Sequence, residues 1–484
     1  MERNTRAILL GIGLTVSSLV ASAEQVFTVA CTAGETINGA LARGDSRKPV
    51  TIQVSGTCTE NVVIARDDVT ILGMAAGVSA ADPSRPTIWV QGTRVVVGGL
   101  AVNGGLHAIE VSGGNAVTIQ SVALYGATAN GLYVVNGAAT VTDSSITNSG
   151  EAGILLRDAA ARVIDGQIFG NMGPGIHAVR NSGASTYETT IRNNAVGILF
   201  DTGSTVVMNG DTIGPNAGRG LELATHSNAN LTDVTISGNN AGGILLDTGS
   251  TAAISGGTIG PNGGSGIALA SNSTAKLTDV PITGNGAGGV LLDTGSTVTI
   301  SGGTIGPNGG SGIALASNST AKLTGVALTH NGIQTSHHGI SAAFSQVIME
   351  GGSITQSAGR GMDLYASIAD LSGAAIDNNT RDGIRGRAGS TVSLESTSVS
   401  NNGGNGVFMQ FNSNLQTSNV GGVSTAVKGN DGAGILLQYA SKLLATYIVA
   451  SGNGTYGLDC MDGESSYLIS TGIDGTVAAA CTGY

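Results

Sequence analysis

The chain is punctuated by a glycine followed by an aliphatic-x-aliphatic triplet. It appears as Gly197-Ile198-Leu199-Phe200, Gly220-Leu221-Glu222-Leu223 and Gly243-Ile244-Leu245-Leu246, and continues at Gly266, Gly289 and Gly312. The step is about 22–23 residues, the size of one supersecondary unit that cannot bury its own apolar face and must stack on copies of itself. Two further apolar segments follow each triplet, one ending at Leu277 or Ile300, the next containing Ile282 or Ile305. Each alternates with period two between Gly, Asn, Asp, Ser and Thr, which predicts three short strands per turn. That is one rung of a parallel β-helix. Leucine-rich repeats would need a leucine and asparagine spacing that is absent, and helical repeats would need 3.6 periodicity with far less glycine.

Counting triplets from Ala108 to Gly457 gives about 15 coils, so the expected fold is all-β, a single-stranded right-handed parallel β-helix. Turns such as Gly260-Pro261-Asn262-Gly263-Gly264 supply the bends, and their Asn is expected to stack and hydrogen-bond rather than to bind a ligand. Residues 195–238, 241–284 and 287–330 form a two-coil repeat, the last two copies differing at few positions, such as Ile244 against Val290. Recent duplication explains this and marks the stretch as spacer. Thr36 to Arg43 reads as a short amphipathic helix capping the first coil.

Residues 1–23 read as a cleavable bacterial signal peptide: basic Arg3 and Arg6, an apolar run from Ala7 to Val20, then Ala21-Ser22-Ala23. Export makes disulfides plausible, and short loop closure pairs Cys31 with Cys58 and Cys460 with Cys481 as staples at the two ends. The expected divisions are signal peptide 1–23, N-terminal cap and first coil 24–60, β-helix 61–465 and C-terminal cap tail 466–484. No later segment is apolar for long enough to span a bilayer as a helix. The expected destination is the periplasm or the exterior.

The N-terminal run, with Cys31, Thr36-Ile37, Val54-Ser55-Gly56-Thr57-Cys58 and Val69-Thr70-Ile71-Leu72-Gly73, resembles the entry to bacterial right-handed parallel β-helix proteins of the pectate-lyase-like superfamily. The coils are similar to theirs over about residues 27–470. The resemblance implies lyases, hydrolases and epimerases of polysaccharides, and also adhesins and other non-catalytic members. No stretch matches the catalytic motifs of the pectinase, polygalacturonase or alginate-epimerase branches, so no catalytic residue is carried over.

A net charge of −11 disfavours nucleic acid and anionic membranes as partners. Glycine, 78 of 484 residues, lacks the period of three that collagen needs. Chemistry is sought in the outward-facing middle residue of each triplet and the residue after the triplet. Through the duplicated coils these columns are bland. From Asp363 to Gln410 they hold Asp363, Tyr365, Arg385, Arg387, Phe408 and Gln410. The step from Gly312 to Gly339 is about four residues longer than its neighbours, and its extra loop carries His330, His337 and His338. Arg360, Arg381 and Asp382 precede the next two triplets and would line the same edge.

Such a set suits an acidic polysaccharide. Paired guanidiniums hold carboxylates or sulfates, and Phe408 and Tyr365 offer faces to sugar rings. His337, His338, Tyr365 and Arg385 are the catalytic candidates, for proton exchange in β-elimination or epimerisation. Asp363, Arg381, Arg387, Phe408 and Gln410 are the substrate-binding candidates. Hydrolysis wants two carboxylates about 5–9.5 Å apart, and Asp363 and Asp382 are offset along the strand. Calcium is the cofactor considered, but Asp201, Asp247 and Asp293 recur on every second coil, about 10 Å apart, too far to share an ion. They read as turn caps, and no metal site is expected. Leu155, Leu199, Leu245, Leu291 and Leu436 form an outward apolar stripe that would suit an oligomer interface. It supports the alternative of a non-catalytic cell-envelope or adhesin-like protein.

Overall fold

The computed structural model describes residues 24–333, 337–419 and 422–483. The 1–23 segment read as a signal peptide lies outside the described residues. Among them, the triplet strands form one parallel ladder of 18, running from Val62–Ile64 to Leu458–Cys460. At about 4.8 Å per strand the stack is about 80 Å long. The second and third strands of each coil, such as Thr274–Thr278 and Thr304–Ile305, build the other faces. Register is residue on equivalent residue: Ile267 on Val290, Ala268 on Leu291, Leu269 on Leu292.

The ladder is longer than the glycine count because Val62–Ile64, Ile88–Val90 and Ile109–Ser112 are triplet strands without the glycine. Asn61, Thr87 and Ala108 stand in its place. Elsewhere the glycine is required by close approach. A Cβ on Gly266 would lie 2.6 Å from Ile282 Cγ2 and 2.8 Å from the Gly289 carbonyl oxygen, well inside carbon contact distance of about 3.5 Å.

Two side-chain ladders line the turns. Asn171, Asn194, Asn216, Asn239, Asn262, Asn285, Asn308 and Asn331 are buried, each amide donating to the next at 2.9–3.3 Å. The series resumes at Asn379, Asn402, Asn430 and Asn453. At another corner, a serine about seven residues after the triplet glycine uses Oγ to accept the backbone N–H of the preceding coil, as Ser390 does from Ser367 at 3.2 Å. Those backbone groups are thereby satisfied although water does not reach them. Asp201, Asp247 and Asp293 accept the N–H of the following threonine at 2.6–2.8 Å, the geometry of a turn cap.

The ends are closed as the cysteines suggest. Cys31 is bonded to Cys58 and Cys460 to Cys481. Helix Ile37–Arg43 buries Ile37 and Ala40 over the first coil, and Thr36 Oγ1 accepts the Gly39 N–H at 3.1 Å. At the far end Ser466–Asp474, where the expected cap tail begins, pairs in parallel on Lys442–Val449. It follows the Gly457 triplet as Lys442–Val449 follows the Gly434 triplet, so it is the next strand of the last coil.

Gly266→Ala is expected to cost about 1–3 kcal/mol through overpacking against backbone that cannot yield. Urea denaturation measures it, and an unchanged midpoint would show that the coils can spread to admit a methyl group.

Candidate functional site

Strand Met362–Tyr365 lies between Ile340–Ala343 and Ile384–Arg387, in register Ser341–Asp363–Arg385. Phe408 follows Arg385 on the next coil. Stacking alone thus sets a carboxylate beside a guanidinium on the outer face. Arg385 Nε and Nη2 donate to the two Asp363 carboxylate oxygens at 2.8 and 2.9 Å, a bidentate fork. Arg387 Nη2 adds a third bond at 3.3 Å, and His338 Nε2 lies 3.3 Å from Oδ2.

The Asp363 side chain is only 8% exposed. Burial by itself would raise its pKa, but the hydrogen bonds from His338 and Arg385 and the Arg385 charge outweigh it, holding the carboxyl well below the usual carboxylate range. Asp363 is therefore a fixed anion and not a proton donor. His338 is equally committed. Its Nδ1 accepts the Arg360 backbone N–H at 3.0 Å, so the ring proton sits on Nε2 and points at Asp363.

A second knot lies alongside. Arg360 Nε donates to Asp382 Oδ2 at 2.8 Å, and Asp382 Oδ1 accepts the Asn405 backbone and side-chain N–H groups at 2.9 and 3.0 Å. Asp363 and Asp382, weighed above as a hydrolytic pair, are thus both held in ion pairs.

Tyr365 is exposed, with the Phe344 ring edge-on at 5.3 Å and the Arg387 guanidinium 5.3 Å from its centroid. Further along this edge Phe411 and Tyr439 stack at 4.6 Å, 7° from parallel, both exposed. Sequence columns found Tyr365 but missed Phe344, Phe411 and Tyr439, which stand one residue further out. The signal was available: only 3% of residues are aromatic, yet these rings fall at one turn of nearby coils. Their positive φ values, 51–53°, carry no such signal, because many coils turn this way at that corner.

The other candidates lie around this cluster. Phe408 is half-buried beside Arg385, and Gln410 donates to Gln438 at 2.9 Å. Arg381 and His337 are exposed at the rim. Of the leucine stripe, Leu155, Leu199 and Leu245 are half-buried and Leu291 is exposed. Leu436 is buried, contrary to expectation, in register between Phe408 and Asp459.

With this geometry in view, comparison with known proteins places the fold. The family model described as "Right handed beta helix region" matches residues 87–230, 219–367 and 321–472. This chain belongs to the right-handed β-helix family. Among solved structures, a periplasmic alginate epimerase is similar at 14% identity and TM-score 0.49, over 62% of this chain and 83% of that one. The A-module of the Azotobacter vinelandii mannuronan C-5 epimerase is similar at 13% and 0.42, over 64% and 88%. A pectate lyase is similar at 14% and 0.39, over 58% and 78%. No curated protein matches the chain. Among the described residues no group of three or more His, Cys, Asp or Glu is placed to hold a metal ion, and no helix is long and apolar enough to cross a membrane.

The depressed pKa of Asp363 fixes the sign of a pH effect. Its ion pairs stabilise the fold fully above 3.8, the ordinary carboxylate value, and the contribution is lost as pH falls toward the folded value. Arg385→Ala should cost about 2 kcal/mol at pH 7 by removing the bidentate partner of a buried carboxylate, which keeps only the longer contacts to Arg387 and His338. The gap should narrow below pH 3.8, where Asp363 of the variant protonates first. Urea titrations at the two pH values check this, and an equal gap at both would contradict it.

Proposed function

We propose that the outer face of the triplet ladder between residues 338 and 411 binds an acidic polysaccharide. The observation that carries this reading is charge set beside aromatic surface. Arg360, Arg381, Arg385 and Arg387 stand against two carboxylates, Asp363 and Asp382, within a chain whose net charge is −11. Arg387 is partly exposed and Arg381 exposed, so each has donors for a uronate or sulfate. Exposed Phe344 and Tyr365 border them, offering apolar faces to sugar rings. Asp363 and His338 hold the guanidiniums in place, a positioning role. Two disulfides fit an oxidising compartment and support export.

β-Elimination or epimerisation is the second reading, and it rests on Tyr365. Proton abstraction needs an unoccupied basic site, and both nitrogens of His338 are engaged. Tyr365 is exposed, with the Arg387 guanidinium 5.3 Å from its ring centroid, and its hydroxyl is the proton-exchanging group it would bring to a bound sugar.

Retention on immobilised alginate and polygalacturonate tests the binding. The wild type should be retained at low salt and released as salt rises, and Arg381→Ala/Arg387→Ala should weaken retention about tenfold, equivalent to 1.4 kcal/mol. Undiminished retention by the double variant would refute the site. For turnover, unsaturated-product absorbance reads elimination and uptake of solvent deuterium beside the carboxyl group reads epimerisation; loss of the observed signal in Tyr365→Phe supports the second reading, and a signal that persists excludes Tyr365 as the base.

A further inference from the structure

The same face carries a second, chemically opposite constellation near the N-terminal end. Trp89, Glu110 and Tyr133 are register partners on three successive triplet strands. Each is half-buried, while the flanking Ile88, Val90, Ile109, Val111, Leu132 and Val134 are fully buried, so the three side chains stand on the outer surface. They are tied into one unit. The Trp89 indole N–H donates to Ser112 Oγ at 2.9 Å, and the Ser112 hydroxyl donates to Glu110 Oε1 at 2.7 Å. Tyr133 is backed by the His107 ring at 4.8 Å. Burial lowers the His107 pKa to about 4, so that ring is neutral at pH 7. Its Nδ1 accepts the Asn130 N–H at 3.3 Å, and the Asn130 amide donates to Glu151 at 3.1 Å.

The column continues through Leu155 and His177 into a hollow of about 440 Å3, bordered by Glu151, Arg157 and Met172. That volume lies within the range of small-ligand pockets, about 300–1,000 Å3. Ten ladder steps, about 48 Å, separate Tyr133 from Asp363.

We infer that Trp89, Glu110 and Tyr133 form a binding site for an uncharged oligosaccharide, distinct from the arginine-rich face. Two aromatic side chains in line offer apolar surface to pyranose rings, and the carboxylate between them accepts sugar hydroxyls. Glu110 makes no ion pair among the described residues, so its charge would repel a uronate and leaves lone pairs for hydroxyl donors. Glu151 and Arg157 border the hollow with opposite signs, so the repulsion of a uronate rests on Glu110. This site does not depend on the acidic-polysaccharide reading.

Trp89 is the single tryptophan of the chain, so its emission reports this site directly. The full chain would be titrated with cellohexaose, xylohexaose and mannohexaose, and with hexaguluronate as the charged counterpart. The expected result is a saturable change in Trp89 emission with at least one uncharged hexamer, weakened about tenfold by Tyr133→Ala and absent with hexaguluronate. If Tyr133→Ala fails to fold, Glu110→Gln, which keeps the shape, should weaken the same titration. No saturable change with any uncharged hexamer, tighter binding of hexaguluronate, or saturation indifferent to the variants would overturn the site. Failure here leaves column retention at the arginine face untouched, so the two readings fail separately.

Discussion

In-register parallel stacking of like positions is the constraint on which the rest of this structure depends. Each coil is too small to bury its own apolar face, so every inward residue packs on its counterpart one coil away. The triplet glycine follows from that stacking, because a methyl group at Gly266 would strike both Ile282 and the backbone of the next coil. So do the asparagine and serine ladders, which satisfy buried backbone groups at the corners where strands end.

The same register decides where chemistry is available. Inward columns are closed to it, since any change there propagates to both neighbours. Outward columns are free, but in the duplicated coils they repeat short or aliphatic residues such as Leu245, Ala268, Leu291 and Ala314. Where repetition breaks down, stacking brings unlike residues together at a strand spacing of about 4.8 Å. At one place it sets Asp363 on Arg385, close enough for a bidentate pair. At another it sets Glu110 between Trp89 and Tyr133. One scaffold thus presents a cationic and an anionic patch along a single face.

Much of this was legible in the residues. The glycine period reveals the coils because glycine is there for a steric reason, and the cysteines pair as short loop closure suggests. The first two coils were obscured because Asn61 and Thr87 replace the glycine, and the serine ladder because its marker sits at a different corner from the triplet. Columns placed Asp363, Tyr365, Arg385 and Arg387 together, since register alone determines that. They could not show that both nitrogens of His338 are occupied, because this depends on where the Arg360 backbone N–H points. They also passed over Phe344, Phe411 and Tyr439, which lie one residue beyond the columns followed.

We propose that the regular middle is spacer and that an acidic glycan is met at the degenerate C-terminal coils. Hydrogen–deuterium exchange with and without alginate or polygalacturonate oligomers measures this along the whole chain. Slowed exchange is expected only in peptides around residues 338–343, 360–366, 383–388 and 406–411, with residues 244–315 unaffected. Slowed exchange centred on 244–315, or none at the C-terminal coils under conditions where the oligomer binds, would contradict it.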